Sequence, residues 1–168
     1  MPKQPDNPPA VPLREEFGLV RPRPGWWAWL PDPHFVAAVL AAVPVLFLLG
    51  LTLGNRMQSV DGWSAWFSFV ALRPIAEELV FRGVIQGPLL QRTSARRVGP
   101  VTQANLWTTA GFVALHFAAQ PPGWALAVAL PSLVFGHMRE RFGSVIPAVT
   151  LHAVYNVGFA IVASWVHP

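Results

Sequence analysis

The stretch IAEELVFRGVIQGPLL at residues 75–90 places two adjacent carboxylates, Glu77 and Glu78, and one guanidinium, Arg82, inside an otherwise apolar run. A charged residue in hydrocarbon costs about 2.5–3.5 kcal/mol on insertion scales, so such residues normally face a protein interior or a wet cavity. The stretch therefore predicts a polar site buried among helices.

Helical spacing separates the roles of the two carboxylates. Glu78 and Arg82 lie four residues apart with the acid first, which is the favourable order for an intrahelical ion pair. Glu77 lies about 100° round the helix from Glu78 and is left to point elsewhere. One interpretation is an ion pair that only holds a helix bundle together, and the other is a catalytic site with one free carboxylate.

The composition of the chain is that of a membrane protein. It has 168 residues, of which 53% are hydrophobic and 12% are charged, whereas an ordinary soluble domain has about 25% charged residues. The absence of cysteine excludes disulfides, thiolate nucleophiles and sulfur-ligated zinc. The net charge of +4 comes from arginines in short segments between apolar runs. Membrane orientation explains that pattern better than nucleic-acid binding, so no nucleic-acid partner is expected.

The chain divides into a tail and a membrane domain. Residues 1–33 hold nine of the 18 prolines and no apolar periodicity, which predicts a mobile tail. The end of this tail is predicted to anchor at the lipid interface through Trp26, Trp27 and Trp29. Residues 34–168 are predicted to form one all-α domain, a polytopic transmembrane helix bundle of about five to six spans.

Five apolar runs mark the predicted spans, residues 34–54, 63–90, 104–119, 124–138 and 144–166. The second run forms either one kinked helix or a short lead-in followed by a Glu-bearing helix. An extra crossing within 55–74 is the alternative that gives six spans. With five spans, the tail and the arginine-rich loops at 91–99 and 139–141 all lie on one side. This predicts an integral protein of a bacterial inner membrane with a cytoplasmic N-terminus.

Two further pairs of residues repeat at helical spacing. Phe112 and His116 share one face of the 104–119 span, and His152 and Asn156 share one face of the last span. A strip of small residues lies about 200° round the 104–119 helix and is predicted to pack against a neighbouring helix. Its members are Ala110, Ala114 and Ala118.

The polar residues of the three helices are predicted to lie at similar depths. Measured from the nearest arginine-rich end at 1.5 Å per residue, Glu78 lies roughly 21 Å along its helix and His116 lies roughly 24 Å along its own. His152 and Asn156 lie roughly 16 and 22 Å along the last helix. Similar depth on three helices indicates one assembled site rather than scattered structural residues.

The three motifs EELVFR, FVALH and HAVYN together resemble the CPBP family of intramembrane proteases, which includes the type II CAAX prenyl endopeptidases. The family pattern is EExxxR, FxxxH and HxxxN in that order, and the resemblance covers about residues 72–160. Residues 136–156 are also similar to a family region that has an acidic-basic turn followed by Gly-Ser. His137 departs from the family, which usually has an aliphatic or aromatic residue there.

The resemblance implies catalytic or supporting roles for six residues, Glu77, Glu78, Arg82, His116, His152 and Asn156. The first glutamate matches the general base that activates a water molecule, and the FxxxH histidine matches the residue that assists it. The histidine and asparagine of HxxxN match residues that bind the developing oxyanion. The second glutamate and the arginine match a supporting ion pair.

A zinc mechanism would use some of the same atoms. Glu77, His116 and His152 are the three ligands that an open catalytic zinc site would need. The sequence contains no HExxH motif, which favours a metal-free glutamate mechanism. No cofactor is therefore expected, and zinc stays the alternative.

The predicted function is endopeptidase cleavage of a membrane-anchored protein or peptide at or within the lipid bilayer. Two alternatives belong to other classes. A non-enzymatic scaffold or bacteriocin-immunity-like protein would use the polar cluster only to lock the bundle. A transporter would relay protons through the cluster, but the sequence shows no inverted repeat.

Overall fold

The structure, a computed structural model, describes residues 11–54 and 57–166. Predictions that fall on residues 1–10, 55–56 and 167–168 lie outside the described residues. The described chain is mostly helical. In chain order its elements are α1 (Leu13–Glu16), α2 (Pro33–Leu53), α3 (Trp63–Phe67), π1 (Ser68–Leu72), α4 (Arg73–Glu78), π2 (Leu79–Ile85), α5 (Gln86–Arg92), β1 (Arg97–Val98), β2 (Val101–Thr102), α6 (Gln103–Phe117), α7 (Pro122–Ala127), α8 (Ala129–Phe142) and α9 (Ile146–Val166).

Among the described residues, α2 and α9 are long and apolar enough to cross a membrane. Each has 21 residues, which at 1.5 Å per residue covers about 30 Å of hydrocarbon. The two helices pack closely because each has a glycine on the face that contacts the other. A Cβ atom on Gly50 would lie 2.5 Å from Val162 Cγ1, and one on Gly158 would lie 2.6 Å from Leu46 Cδ1. α6 has only 15 residues, so the bundle of five to six spans stays a prediction.

Residues 63–92 form one continuous helix, which we call the Glu helix. Its α-helical pieces α3, α4 and α5 are joined by the π-helical segments π1 and π2. The structure therefore has the single-helix alternative for this region. π-Helical turns are rare and frequently lie at functional sites. Here π2 begins directly after Glu78 and contains Arg82.

The core of the fold is built around α8, which packs against both α6 and α9. The buried residues of this core are Trp29, Phe35, Phe135, Met138, Phe142, Ala148 and Leu151. α8 continues to Phe142 and ends at Gly143, whose φ of 67° is left-handed. The prediction of a loop at 139–141 is therefore wrong, because these residues form the last turn of a helix. Charge alone predicts a loop there, but Arg139 is buried and finds its partners among backbone carbonyls.

Residues 11–32, which we call the N-terminal segment, pack on the end of the bundle where α8 stops. The N–H of Arg23 donates to the Phe142 carbonyl at 3.0 Å, and the N–H of Val145 donates to the Gly18 carbonyl at 3.1 Å. The Ser144 hydroxyl donates to the Val20 carbonyl at 2.7 Å. Composition predicts a mobile tail here, whereas these described residues are held by backbone hydrogen bonds that composition does not reveal.

The three tryptophans of this segment do not behave alike. Trp29 is 2% exposed and packs edge-on against Phe35, with ring centroids 4.8 Å apart. It therefore belongs to the core and not to a lipid anchor, which corrects the prediction for this residue. Trp26 and Trp27 are exposed, and an interfacial position stays a prediction for them.

The packing face of α6 is opposite to the predicted one. The strip of small residues is exposed, while the buried face carries Ala104, Asn105, Thr108, Thr109 and Phe112. The polar members of that face hydrogen-bond across to α8, as Asn105 Nδ2 does to the Leu133 carbonyl at 2.9 Å. Small size alone is thus a weaker packing signal in this helix than a set of partnered polar groups.

Candidate active site

The predicted ion pair of the Glu helix is present and fully buried. Arg82 Nε donates to Glu78 Oε2 at 2.8 Å, and both side chains have no exposed surface. Arg82 Nη2 also donates to the Ser132 hydroxyl at 2.9 Å, and Ser132 donates in turn to Thr109 Oγ1 at 2.9 Å. The arginine is therefore fixed to α8, and through α8 to α6. Within the described residues its Nη1 has no hydrogen-bond partner.

The pair is joined by a third group, His152 of α9. Its Nδ1 lies 2.9 Å from Glu78 Oε1, and because an ionised carboxylate only accepts, the ring donates this hydrogen bond. The imidazole is stacked on Phe135, with ring centroids 4.8 Å apart and an interplanar angle of 18°. The plane and the tautomer of this histidine are thus both fixed by neighbours.

Glu77 lies on the opposite side of the same imidazole. Its Oε2 is 3.9 Å from His152 Nε2, and its side chain is 29% exposed. His152 therefore bridges two neighbouring carboxylates that differ in access to water. Glu78 is enclosed by two partners, whereas Glu77 is open on one side.

His116 of α6 approaches the same region. It lies close enough to Glu77 for an electrostatic interaction between the two side chains. Its Nδ1 is 2.8 Å from the Phe112 carbonyl, and because a carbonyl only accepts, Nδ1 carries the proton in this bond. In the neutral ring the lone pair is then on Nε2. The ring also packs on the Phe112 ring, with centroids 4.4 Å apart.

Asn156 lies one turn beyond His152 on α9 but is joined to a different helix segment. Its Nδ2 donates to the Phe69 carbonyl in π1 at 2.7 Å. One amide hydrogen is thus used to hold the start of the Glu helix against α9. The second hydrogen of the same nitrogen is left for another acceptor.

The six predicted residues therefore form a connected group of four with two neighbours. Hydrogen bonds or close approach connect Glu77, Glu78, Arg82 and His152, while the remaining two predicted residues are tied to backbone carbonyls. Within residues 11–54 and 57–166, no group of three His, Asp or Glu side chains is arranged to hold a metal ion.

The sequence motifs do not include three residues of the site, namely Ser132, Thr109 and Phe135. A signal for the first two exists, since hydroxyls in apolar helices commonly hydrogen-bond to neighbouring helices. Nothing in the spacing shows which partner each one takes. Phe135 carries no signal beyond its apolar character.

Ionisable residues buried between membrane helices mark a candidate functional site, and here one histidine joins a buried ion pair to a second, partly exposed carboxylate. Residues 59–158 match the family described as Type II CAAX prenyl endopeptidase Rce1-like. Because the match covers more than half of the chain and includes all the site residues, the chain belongs to this family. The family makes it a membrane protease of the endopeptidase class. No curated protein and no solved structure matches the chain.

Proposed function

We propose that the protein cleaves a peptide bond of a membrane-anchored protein or peptide with a water molecule that Glu77 activates. The observation that carries this proposal is the difference between the two glutamates. Glu78 is buried and bonded to Arg82 and His152, so it is unsuited to accept another proton. Glu77 keeps a partly exposed carboxylate 3.9 Å from His152 Nε2, which leaves it open to a water molecule, as a general base requires.

In the proposed reaction Glu77 takes a proton from water as the oxygen attacks the peptide carbonyl carbon. A tetrahedral intermediate forms, the C–N bond breaks, and the proton passes from Glu77 to the leaving amine. His116 assists by accepting a hydrogen bond from the water at Nε2, since its Nδ1 is held by Phe112. The products are a carboxylic acid and an amine, and Glu77 is again a carboxylate, so atoms and charges balance; a proton then passes from the acid to the amine in water.

The developing oxyanion is stabilised by His152 Nε2–H and by the second amide hydrogen of Asn156. His152 can donate from both nitrogens only when it is protonated. The bundle of five to six spans, which rests on the apolar runs, and the cytoplasmic N-terminus, which rests on the distribution of arginines, are part of this proposal.

The test is cleavage of membrane-anchored peptides by the purified full-length protein in detergent. Glu77→Gln removes the base at almost constant volume and is expected to lower kcat by about 10²–10⁴-fold. Glu15→Gln makes the same chemical change at an exposed position and is the matched control, with no expected effect. Both variants are checked for folding by thermal unfolding.

Each assay is repeated with a strong zinc chelator. Cleavage that is lost in the Glu77→Gln variant and indifferent to chelator supports the glutamate mechanism. Cleavage that stops with chelator and returns with zinc would establish the metalloprotease instead. A folded Glu77→Gln variant that keeps full activity would rule out Glu77 as the base, and a cellular phenotype that survives the same change would point to a scaffold.

A further inference from the structure

A polar cleft of about 340 Å³ lies at the far end of the Glu helix, away from the catalytic cluster. Its lining residues are Arg92, Thr93, Ser94, Arg96 and Gln103. The two arginines come from the end of α5 and from the turn that follows, and the glutamine is the first residue of α6. The cleft therefore lies where two helices of the bundle are connected.

In the part of the chain that the structure describes, no acidic side chain forms an ion pair with the arginines of this cleft. Residues 79–138 contain four arginines and neither aspartate nor glutamate, and the carboxylate of Glu140 is bonded to Gln86 and Thr102. Two guanidinium groups that face one cleft without counter-charges repel each other, and a bound anion would remove that repulsion.

The backbone N–H groups of the cleft already have acceptors within the chain, which leaves the side chains as its donors. The N–H groups of Ser94 and Arg96 are used within the turn, donating to the Gln91 and Thr93 carbonyls at 3.1 and 2.9 Å. The N–H of Gln103 donates to the Arg96 carbonyl at 2.8 Å and closes the β1–β2 hairpin onto the turn. Two guanidiniums, a hydroxyl and an amide are thus presented on a fixed frame, and all of them can donate to an anion.

The cleft lies at the level where headgroups are expected. Trp107 follows Gln103 by one helical turn and is 66% exposed. Exposed tryptophans on membrane helices concentrate at the lipid–water interface. One turn of α6 is about 5.4 Å, so we expect the cleft to lie near the polar edge of the bilayer.

We propose that this cleft binds the phosphate group of an anionic phospholipid headgroup. Arginine forks match phosphate oxygens in a bidentate manner, and such charge-assisted bonds are stronger than neutral ones. The serine hydroxyl and the glutamine amide supply further donors for the remaining oxygens. The site is separate from the proposed catalytic residues, so its test does not depend on peptide cleavage.

The test measures binding of short-chain phosphatidylglycerol to the full-length protein in a neutral detergent, with phosphatidylcholine and inorganic phosphate as further probes. The Arg92→Gln/Arg96→Gln variant is expected to bind phosphatidylglycerol roughly thirtyfold more weakly, about fivefold for each arginine. The matched control, Arg14→Gln/Arg21→Gln, removes the same charge from the exposed surface of the N-terminal segment. It is expected to bind with at most a small change.

The outcomes separate the source of the phosphate from the existence of the site. Tight binding of phosphatidylglycerol alone, lost in the cleft variant, supports the lipid headgroup. Equal binding of inorganic phosphate with the same arginine dependence supports a phosphate site that takes a soluble ligand. Unchanged binding in the cleft variant, or an equal loss in the control, would overturn the proposal. So would unchanged lipid binding together with weaker peptide cleavage, because the cleft would then hold the substrate.

Discussion

Two buried arginines, Arg82 in the middle of the Glu helix and Arg139 at the end of α8, satisfy their charge in opposite ways. Arg82 is paired with a carboxylate four residues earlier on its own helix. Arg139 is 5% exposed and bonds to backbone carbonyls. Its Nε donates to the Arg82 carbonyl at 3.2 Å, and its Nη2 donates to the carbonyls of Glu15 and Glu16 at 3.4 and 2.8 Å.

One buried charge is thus neutralised by a carboxylate on its own helix. The other is stabilised by backbone carbonyls that only the tertiary structure brings to it. The guanidinium of Arg139 is buried where the N-terminal segment packs on the end of α8, and its hydrogen bonds tie that segment to the Glu helix. Two glycines make room for this contact. A Cβ atom on Gly18 would lie 2.5 Å from Arg139 Nε, and one on Gly87 would lie 2.1 Å from the Glu16 carbonyl oxygen. The end of α8 therefore holds the N-terminal segment against the Glu helix. We call the contacts of Arg139 and Gly87 with residues 15–18 the clasp.

The largest effect is expected from breaking the local pair. Arg82→Met leaves Glu78 buried without its cation and should lower the free energy of unfolding by about 3–5 kcal/mol. The measurement is denaturant-induced unfolding of the purified protein in detergent. The double variant Glu78→Gln/Arg82→Met removes both charges and should recover most of the loss. If the double variant is no more stable than the single one, the pair does not act through charge.

A smaller effect is expected from opening the clasp. Arg139→Met removes the donors to three carbonyls and should cost about 1–3 kcal/mol, the usual penalty for buried polar groups left unsatisfied. The loss should be local, so limited proteolysis should cut within residues 11–32 faster while the rest of the chain stays protected. Uniform faster cleavage along the chain would show that Arg139 supports the whole fold and not the segment.

The clasp can also be tested from the Glu helix, with a substitution that leaves every arginine in place. Gly87→Ala pushes a methyl group into the Glu16 carbonyl and should release the same segment. Gly123→Ala is the matched control, because a Cβ there meets nothing within 4 Å. Faster proteolysis of the segment in the first variant and not in the second would confirm that close packing, as well as hydrogen bonding, holds it.

The same contrast explains how much of the fold and site could be predicted from sequence. Spacing along one helix identifies the Glu78–Arg82 pair, which is present, and leaves Glu77 outside that pair, where its carboxylate lies 3.9 Å from His152. Apolar length identifies α2 and α9. The hydrogen bond between His152 and Glu78 joins residues 74 positions apart. The motifs place both residues in one site, but they do not show which of the two carboxylates accepts the hydrogen bond from the ring.

The failures concern properties that depend on a neighbour. Arg139 is predicted in a loop because its partners lie in a segment more than a hundred positions away. Trp29 is predicted at the lipid surface because an aromatic residue near a span fits either place until its packing against Phe35 is known. The predicted packing strip of α6 is exposed because a run of alanines suits lipid contact as well as helix contact. In each case the local pattern is compatible with two environments, and tertiary contacts decide between them.

The smallest effect is expected at the surface pair of Asp32 and Arg141. Two hydrogen bonds from Arg141, at 2.9 and 2.8 Å, hold the pKa of the Asp32 carboxyl below its usual range. A lowered folded-state pKa gives stability that is present above the unfolded value of about 3.9 and is lost as the pH falls through the folded value. Asp32→Asn keeps a side-chain oxygen to cap the His34 N–H but removes the charge.

This change should therefore cost less than about 1 kcal/mol at neutral pH, because exposed pairs contribute little. The difference between wild type and variant should shrink toward zero in acid, where wild-type Asp32 is also protonated. Thermal unfolding across the acid range measures it, and Asp61→Asn controls for loss of a carboxylate that has no arginine partner within the described residues. A difference that stays constant with pH would mean that the charge of Asp32 does not contribute to stability. The contributions of Arg82, Arg139 and Arg141 to stability would then be ordered by burial and not by charge.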